Sequence, residues 1–557
     1  MCESSDVPGW DTVQPILDQW CTSCHAANLQ GAARGGAPEG LNFDSWSTAA
    51  EWAADIGASV APGGTMPPLG GMSQAERDLV RAWASCGAPG SEAPLPSCDA
   101  PQPYPGDLFV LIEADTHGFC EHYNAIDGKL QLVGLGVDAL DCLCEVTGDL
   151  VVSSPWVTDL SLPHLRSIGG NLSAIGQTNL RAVDLPSLDA VGGELRLVED
   201  NLQSVSLPRL ASVGASLLLQ DDATLEELVL PDLTTIGGSL VVTSNDALTR
   251  VELPELTEIA VSVDFEADPA LVALDVSSLR DVRGALALVD LAELSTLTWP
   301  SLEEVGGSLE VIDCDALETL ESPPALGAIG ADLRIRSNAG LLSVDGFDGI
   351  SRLGTLSIAE NRSLERVTDF SVLQRIDVQL TLAENETLRT LPQLPMLQSL
   401  GDRMEIVANP ALERIEGFEG LETTLATLII SDNPLLTEVD GLRSLRASGE
   451  LSLLRLSALE HIDGLARLTV ARSVSVEGTG LTDLRGLAGL EVVEGDLEVL
   501  FNAALVDITD LGGVQAIGRD LLVGENPVLP EHAIWDLLEV LGEDTVGGTI
   551  YVDGNAL

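Results

Sequence analysis

Five consecutive residues, Cys21-Thr22-Ser23-Cys24-His25, have the types and spacing for one covalent chemistry. Two thiols separated by two residues, with a histidine directly after the second, form the attachment pattern of a c-type haem. Cys21 and Cys24 would add to the haem vinyl groups as thioethers, and His25 would face the iron as proximal ligand. A bare Cys-x-x-Cys could equally be a redox dithiol or half of a zinc site. Zinc would need a second ligand pair at similar spacing, and none lies nearby. Downstream, Gly64-Thr65-Met66-Pro67-Pro68 offers the Met66 thioether as sixth iron ligand, in a loop stiffened by proline. Methionine opposite histidine fills the open iron position and raises the reduction potential, as suits electron transfer. Met72, in a glycine-flanked loop, competes for the same role, and a methionine that merely fills a core is the plainer alternative.

The elements that must position these groups are helices. In Asp11 to Trp20 the apolar Val13, Ile16, Leu17 and Trp20 fall on one helical face, and the helix delivers Cys21. Ser73 and Glu76 form a capping box that opens a terminal helix with Leu79, Val80 and Trp83 as its apolar stripe. Residues 10–88 closely resemble the small haem-binding domain of c-type cytochromes. The residues that carry the likeness are the W-D-x-V-x-P-I-L run, C-x-x-C-H, M-P-P and the closing W-A-x-C-G-A-P. The resemblance implies a small all-α fold and covalent haem c; it implies nothing about the electron partner.

The rest of the chain repeats itself. Unit starts run from Ile168, Val191, Val213 and Ile236 through Leu353, Ile376, Leu400, Leu425 and Ser448 to Ile517, at an average spacing of about 23 residues. That period belongs to leucine-rich repeats. In residues 236–258 the spacing predicts a strand at Leu240-Val241-Val242, with Leu248, Val251, Leu253 and Leu256 pointing into a stack. Nine residues after the start stand Asn245, Asn338, Asn385, Asn409 and Asn526, with Asp222, Asp268 and Cys314 in the same column. An amide there can satisfy buried backbone groups of neighbouring coils, and Cys314 reads as a buried free thiol. The recurrent G-G-x-L-x-V and L-P-x-L segments and the entry Ile126 to Leu130 resemble receptor L-domains, helix-poor leucine-rich solenoids. The resemblance implies a β-rich, right-handed solenoid. Cys120, Cys142 and Cys144 lie where its amino-terminal cap belongs. Pro530 to Leu541 reads as a capping helix, and Thr549 to Val552 as a last strand.

The expected organisation is a tether over 1–9, a haem domain over 10–88, a proline-rich linker over 89–117 and the capped solenoid over 118–557. A formal net charge of −60, with Lys129 the one lysine, argues against nucleic acid and anionic membrane surfaces as partners. Nine cysteines suggest an oxidising compartment. Two belong to haem; Cys86 and Cys98 could close a loop, and one pair among Cys120, Cys142 and Cys144 could staple the cap, leaving one over. Haem of this type is attached outside the bacterial cytoplasm, so the sequence is expected to lack its export signal. Cys2 is then either the lipid-bearing cysteine of a bacterial lipoprotein or one more disulfide thiol. The expected location is periplasm or outer cell surface, with lipid anchoring at the outer membrane if Cys2 is acylated.

Together these features point to an exported monohaem electron carrier joined to a recognition solenoid for protein or glycan, with an unidentified redox partner. A surface adhesin whose haem domain is accessory or unloaded is the alternative. A haem peroxidase would need an open iron position and a distal acid or base. Met66 argues against it, and His117, His122, His164, His461 and His532 read as surface or cap residues. The repeats show no nucleophile, phosphate loop or paired-carboxylate constellation, so catalysis is not expected.

Overall fold

A coil of about 23 residues cannot bury its leucines alone, so it must stack on copies of itself. In the computed structural model it does. The structure describes the chain except residues 1–7, 27–28, 30, 35–36, 39–40, 44, 62–70, 89–97, 113–114, 117, 135–136 and 557. It divides into two compact units, Met1–Ala100 and Pro101–Leu557.

The second unit is a parallel β-solenoid. Strand Leu240–Thr243 alternates buried and half-buried residues, so Leu240 and Val242 point inward. It pairs in parallel with Leu217–Gln220 on one side and Val263–Glu266 on the other. The same ladder runs from Leu108–Val110 to Ile550–Asp553. An 11-stranded sheet of very short strands forms a second face, and shorter sheets such as the one holding Arg250–Glu252 form a third. The leucines inside make one continuous core. Coils approach so closely at the glycine corners that a Cβ on Gly237 would lie 2.1 Å from the Gly214 carbonyl oxygen.

Each long strand ends at a left-handed residue. Ser244, Ala267, Asp290, Asp313, Glu384 and Ala408 all have φ between 53° and 59°. Non-glycine residues pay about 1 kcal/mol there. Ala408→Gly, which changes little else, relieves that strain against about 0.4–1 kcal/mol of added freedom in the unfolded chain, and is expected to leave stability unchanged or raise it by up to about 0.5 kcal/mol. A lowered urea midpoint would refute it.

Directly after that residue comes the buried amide column. Asn385 Nδ2 donates to the Ile358 carbonyl at 3.0 Å and to Asn409 Oδ1 at 3.2 Å. Its own Oδ1 accepts the Asn361 backbone N–H at 3.2 Å. The column holds more amides than the nine-residue offset found: Asn361, Asn433 and Asn502 are also fully buried members. Asn502 obeys the offset and was legible. Asn433 was hidden by a unit start placed on Leu425, which is 94% exposed; Thr424, 6% exposed, is the inward residue. Asn361 comes one residue early because the strand register shifts between Leu353 and Thr355. Cys314 is a buried free thiol, its pKa pushed up to about 12 by burial. Its backbone N–H donates to Asn338 Oδ1 at 2.9 Å.

Three members are aspartates. Asp222 accepts backbone N–H groups of Leu202, Thr224 and Leu225. Asp200 and Asp268 are buried too, but each has an Oδ2 without a hydrogen-bond partner. Burial above all pushes both carboxyls up to about 7.

The first coil starts before residue 118. Pro103–Pro105 pairs with Ala125–Asp127, and Leu108–Val110 with Leu130–Leu132. Part of the expected linker is therefore coil, because its Leu108 and Val110 are inward residues of the ladder. Cys120 and Cys142 form a disulfide with Cα atoms 5.7 Å apart. Cys144 is not left over: it, Cys86 and Cys98 are each disulfide-bonded. Helix Glu531–Leu541 and strand Ile550–Asp553 close the other end, one residue from the expected bounds.

The first unit is partly helical, with helices Trp10–Trp20, Trp46–Glu51, Ala53–Ser59 and Gln74–Ser85. Its own small core contains Trp10, Leu17, Cys21, Phe43, Met72 and Trp83. The capping box forms: Ser73 N–H donates to Glu76 Oε2 at 2.6 Å, and Glu76 N–H to Ser73 Oγ at 3.2 Å. No described helix is long and apolar enough to cross a membrane.

Candidate functional site

Helix Trp10–Trp20 carries the motif into its turn. Cys21 N–H donates to the Leu17 carbonyl at 2.7 Å, which continues the helical ladder. The backbone then doubles back, with Cys24 N–H and His25 N–H both donating to the Cys21 carbonyl at 3.1 and 3.0 Å. One turn thus gathers both thiols and the imidazole at the end of one helix.

His25 is held on three sides. Its carbonyl accepts the Phe43 N–H at 2.7 Å, and its ring stacks on Phe43 with centroids 4.5 Å apart. Its Nδ1 lies 3.0 Å from the Leu41 carbonyl. A carbonyl can only accept, so Nδ1 carries the proton, and in the neutral ring the free lone pair belongs to Nε2. A metal-ligating histidine is commonly fixed in this way by a carbonyl on its other nitrogen. The ring is 5% exposed.

Cys21 and Cys24 are both free thiols. Cys21 is buried, and its pKa is pushed up to about 11 by burial first, then by Asp18 and Cys24. It therefore stays a neutral thiol at physiological pH. The donor set fits a haem held through two thioethers with one imidazole on iron.

The expected sixth ligand, Met66, lies outside the described residues. Met72 is described: it is buried in the same small core as Cys21 and Phe43. Gly71 beside it has φ 116°, and a Cβ there would lie 2.6 Å from the Trp20 ring. His122, His164, His461 and His532 are exposed, and His117 lies outside the described residues.

The solenoid carries a separate feature. Where successive left-handed turns line up, a groove of about 780 Å³ is lined by Asp313, Asp315, Glu360, Glu384, Glu386 and Asp432 among others. Burial first, then Asp290, Asp315 and Glu360, hold the Asp313 carboxyl above its ordinary range. Arginines on neighbouring coils offset part of this charge, as in Arg336–Glu360 and Arg455–Asp432, both at 2.6 Å. Such exposed pairs stabilise by less than about 1 kcal/mol each.

No family model matches the chain, and no curated protein matches it. Among solved structures it is similar to a leucine-rich repeat protein from Bacteroides ovatus. The likeness covers 70% of this chain and 88% of that one, at 13% identity and a TM-score of 0.30. The solenoid assignment rests on the strand pairings themselves.

Proposed function

We propose that the chain is an exported monohaem c-type cytochrome joined to a leucine-rich binding solenoid. One observation carries the haem half: two free thiols and an Nδ1-anchored imidazole gathered in a single turn at a helix end. Cys21 and Cys24 would hold haem c as thioethers, and His25 would present Nε2 to the iron. Met66 or Met72 would supply the second iron ligand. Bound haem would supply one-electron oxidation and reduction at iron. The chain's part is to fix the imidazole tautomer through Leu41 and to surround the motif with apolar side chains.

The solenoid is the recognition half. Stacked coils present long exposed faces, the usual basis of protein binding by repeat proteins. The acidic groove repels polyanions, which disfavours nucleic acid. A protein or glycan partner fits this surface, as does a location outside the cytoplasm, in the periplasm or at the outer surface.

The test is to produce the full chain with and without a c-haem maturation system. Haem that stays with the polypeptide under denaturation, with sharp α and β bands on reduction, is the expected result. Cys21→Ser combined with Cys24→Ser should abolish covalent haem while leaving the solenoid's far-UV spectrum intact. Absence of haem in the unaltered chain would leave the second reading, a surface binding protein. The solenoid's own continuous core, a binding scaffold with or without haem, favours that alternative.

A further inference from the structure

Arg34 is a cation almost fully inside the first unit, at 3% exposure. A buried guanidinium needs its donors satisfied, and the segment after the motif is wrapped around this one to do so. Nη1 donates to the Ala26 carbonyl at 2.9 Å and to that of Leu29 at 3.1 Å. Nη2 has three acceptors in reach of its two hydrogens, the Pro38 carbonyl at 2.9 Å and the Leu41 carbonyl and Asn42 Oδ1 at 3.0 Å each, so one hydrogen is shared between two of them. Nε reaches the Ala37 carbonyl at 3.4 Å.

One of these acceptors is shared. The Leu41 carbonyl oxygen takes the His25 Nδ1–H and the Arg34 Nη2–H, each at 3.0 Å. A carbonyl oxygen has two lone pairs, so both bonds can form together. The charged donor draws electron density from that oxygen, which weakens it as an acceptor for His25. A weaker bond at Nδ1 leaves the imidazole a poorer electron donor at Nε2.

We infer that Arg34 is a positioning residue for His25: through the shared Leu41 carbonyl it orients the imidazole and limits the electron donation of its Nε2. Resting on the haem reading above, this means that Arg34 holds the reduction potential of the iron higher than Leu41 alone would. A ligand of lower basicity favours the ferrous state, and a nearby buried positive charge acts in the same direction.

Two readouts on the full chain test it, one with haem and one without. Arg34→Gln removes the charge and most of the donors; Arg34→Lys keeps the charge but loses the planar fork. In the haem-loaded chain the Gln variant should have a lower reduction potential, with the Lys variant between it and the parent. In the chain made without haem and labelled with 15N in its histidine rings, the His25 Nδ1–H signal should move downfield in the same order, as its bond to Leu41 strengthens. Unchanged potential and unchanged ring signal in both variants would overturn the proposal. A potential that moves without the ring signal would overturn it as well, since Arg34 would then act by charge alone. If the Gln variant fails to fold, the Lys variant decides alone. Should the parent take up no haem, the haem reading and the redox consequence both fall. The ring signal of the haem-free chain would then still decide whether Arg34 sets the Leu41–His25 bond.

Discussion

Asp268→Asn is expected to stabilise the solenoid by about 4 kcal/mol at pH 8 and by almost nothing at pH 4. The column explains the gain. Asn245 Nδ2 donates to the Leu219 carbonyl at 3.1 Å, and Leu219 pairs with Val242 in the next coil. By this register the Val242 carbonyl stands to residue 268 as Leu219 stands to Asn245. Asp268 uses Oδ1 as the column requires, accepting the Asn245 N–H at 2.7 Å and Nδ2 at 3.0 Å. Its Oδ2 faces the donor's position with nothing to donate, and is unpartnered. Asparagine restores the donor without changing the shape.

The sign of the pH dependence follows from the direction of the shift. Burial raises the folded pKa of Asp268 from 3.8 to about 7, so the folded chain binds this proton more tightly than the unfolded chain. Below about pH 4 the group is protonated in both states and costs nothing. Between about 4 and 7 stability falls as pH rises, and above 7 the full cost is present. The difference between variant and parent should grow over that window and then level off. Urea melts at several pH values would show it, with amide exchange around residues 242–268 to localise the effect. Asp232→Asn removes the same charge from an exposed residue and serves as control. Equal stability of Asp268→Asn and parent at pH 8 would sink the argument.

Asn385→Ala should act in the opposite direction and nearly as strongly. It removes the acceptor of the Asn361 N–H at 3.2 Å and the donor to the Ile358 carbonyl at 3.0 Å. Asn361, Asn385 and Asn409 are all 0% exposed, so no bulk water takes the vacated places. A buried polar group left unpaired costs about 1–3 kcal/mol, so the two together predict a loss of about 2–6 kcal/mol. In a repeat protein the damage stays near the lesion. Amide exchange should quicken in coils around 353–409 before the ends of the stack respond. Loss of less than about 1 kcal/mol, or exchange that quickens uniformly, would contradict this account.

How much of this was legible beforehand differs by element. The 23-residue period, the inward leucines and much of the asparagine column could be read from sequence, since each coil meets only its neighbours and must repeat their pattern. The capping box at Ser73 and the terminal helix after Pro530 were equally local. The motif at Cys21, Cys24 and His25 was legible as a spacing. The leucine at 425 misled because hydrophobicity was taken for inwardness: one residue of phase puts Leu425 in solvent and Thr424 inside. Thr424 can go inside because its hydroxyl donates to the Leu400 carbonyl at 3.2 Å.

By itself, then, the sequence determined that the chain would stack into coils and that one short turn would bring two thiols and an imidazole together. Those facts follow from short-range periodicity and spacing. Only the tertiary structure decided which polar groups end up paired. Nothing in the run from Cys24 to Asn42 marks Arg34 as the group that shares Leu41 with His25. Nor does any local signal separate the satisfied Asp222 from the orphaned Asp268. Whether a buried oxygen finds a donor depends on atoms brought in from a loop or a neighbouring coil, and that partnership exists only once the chain is folded.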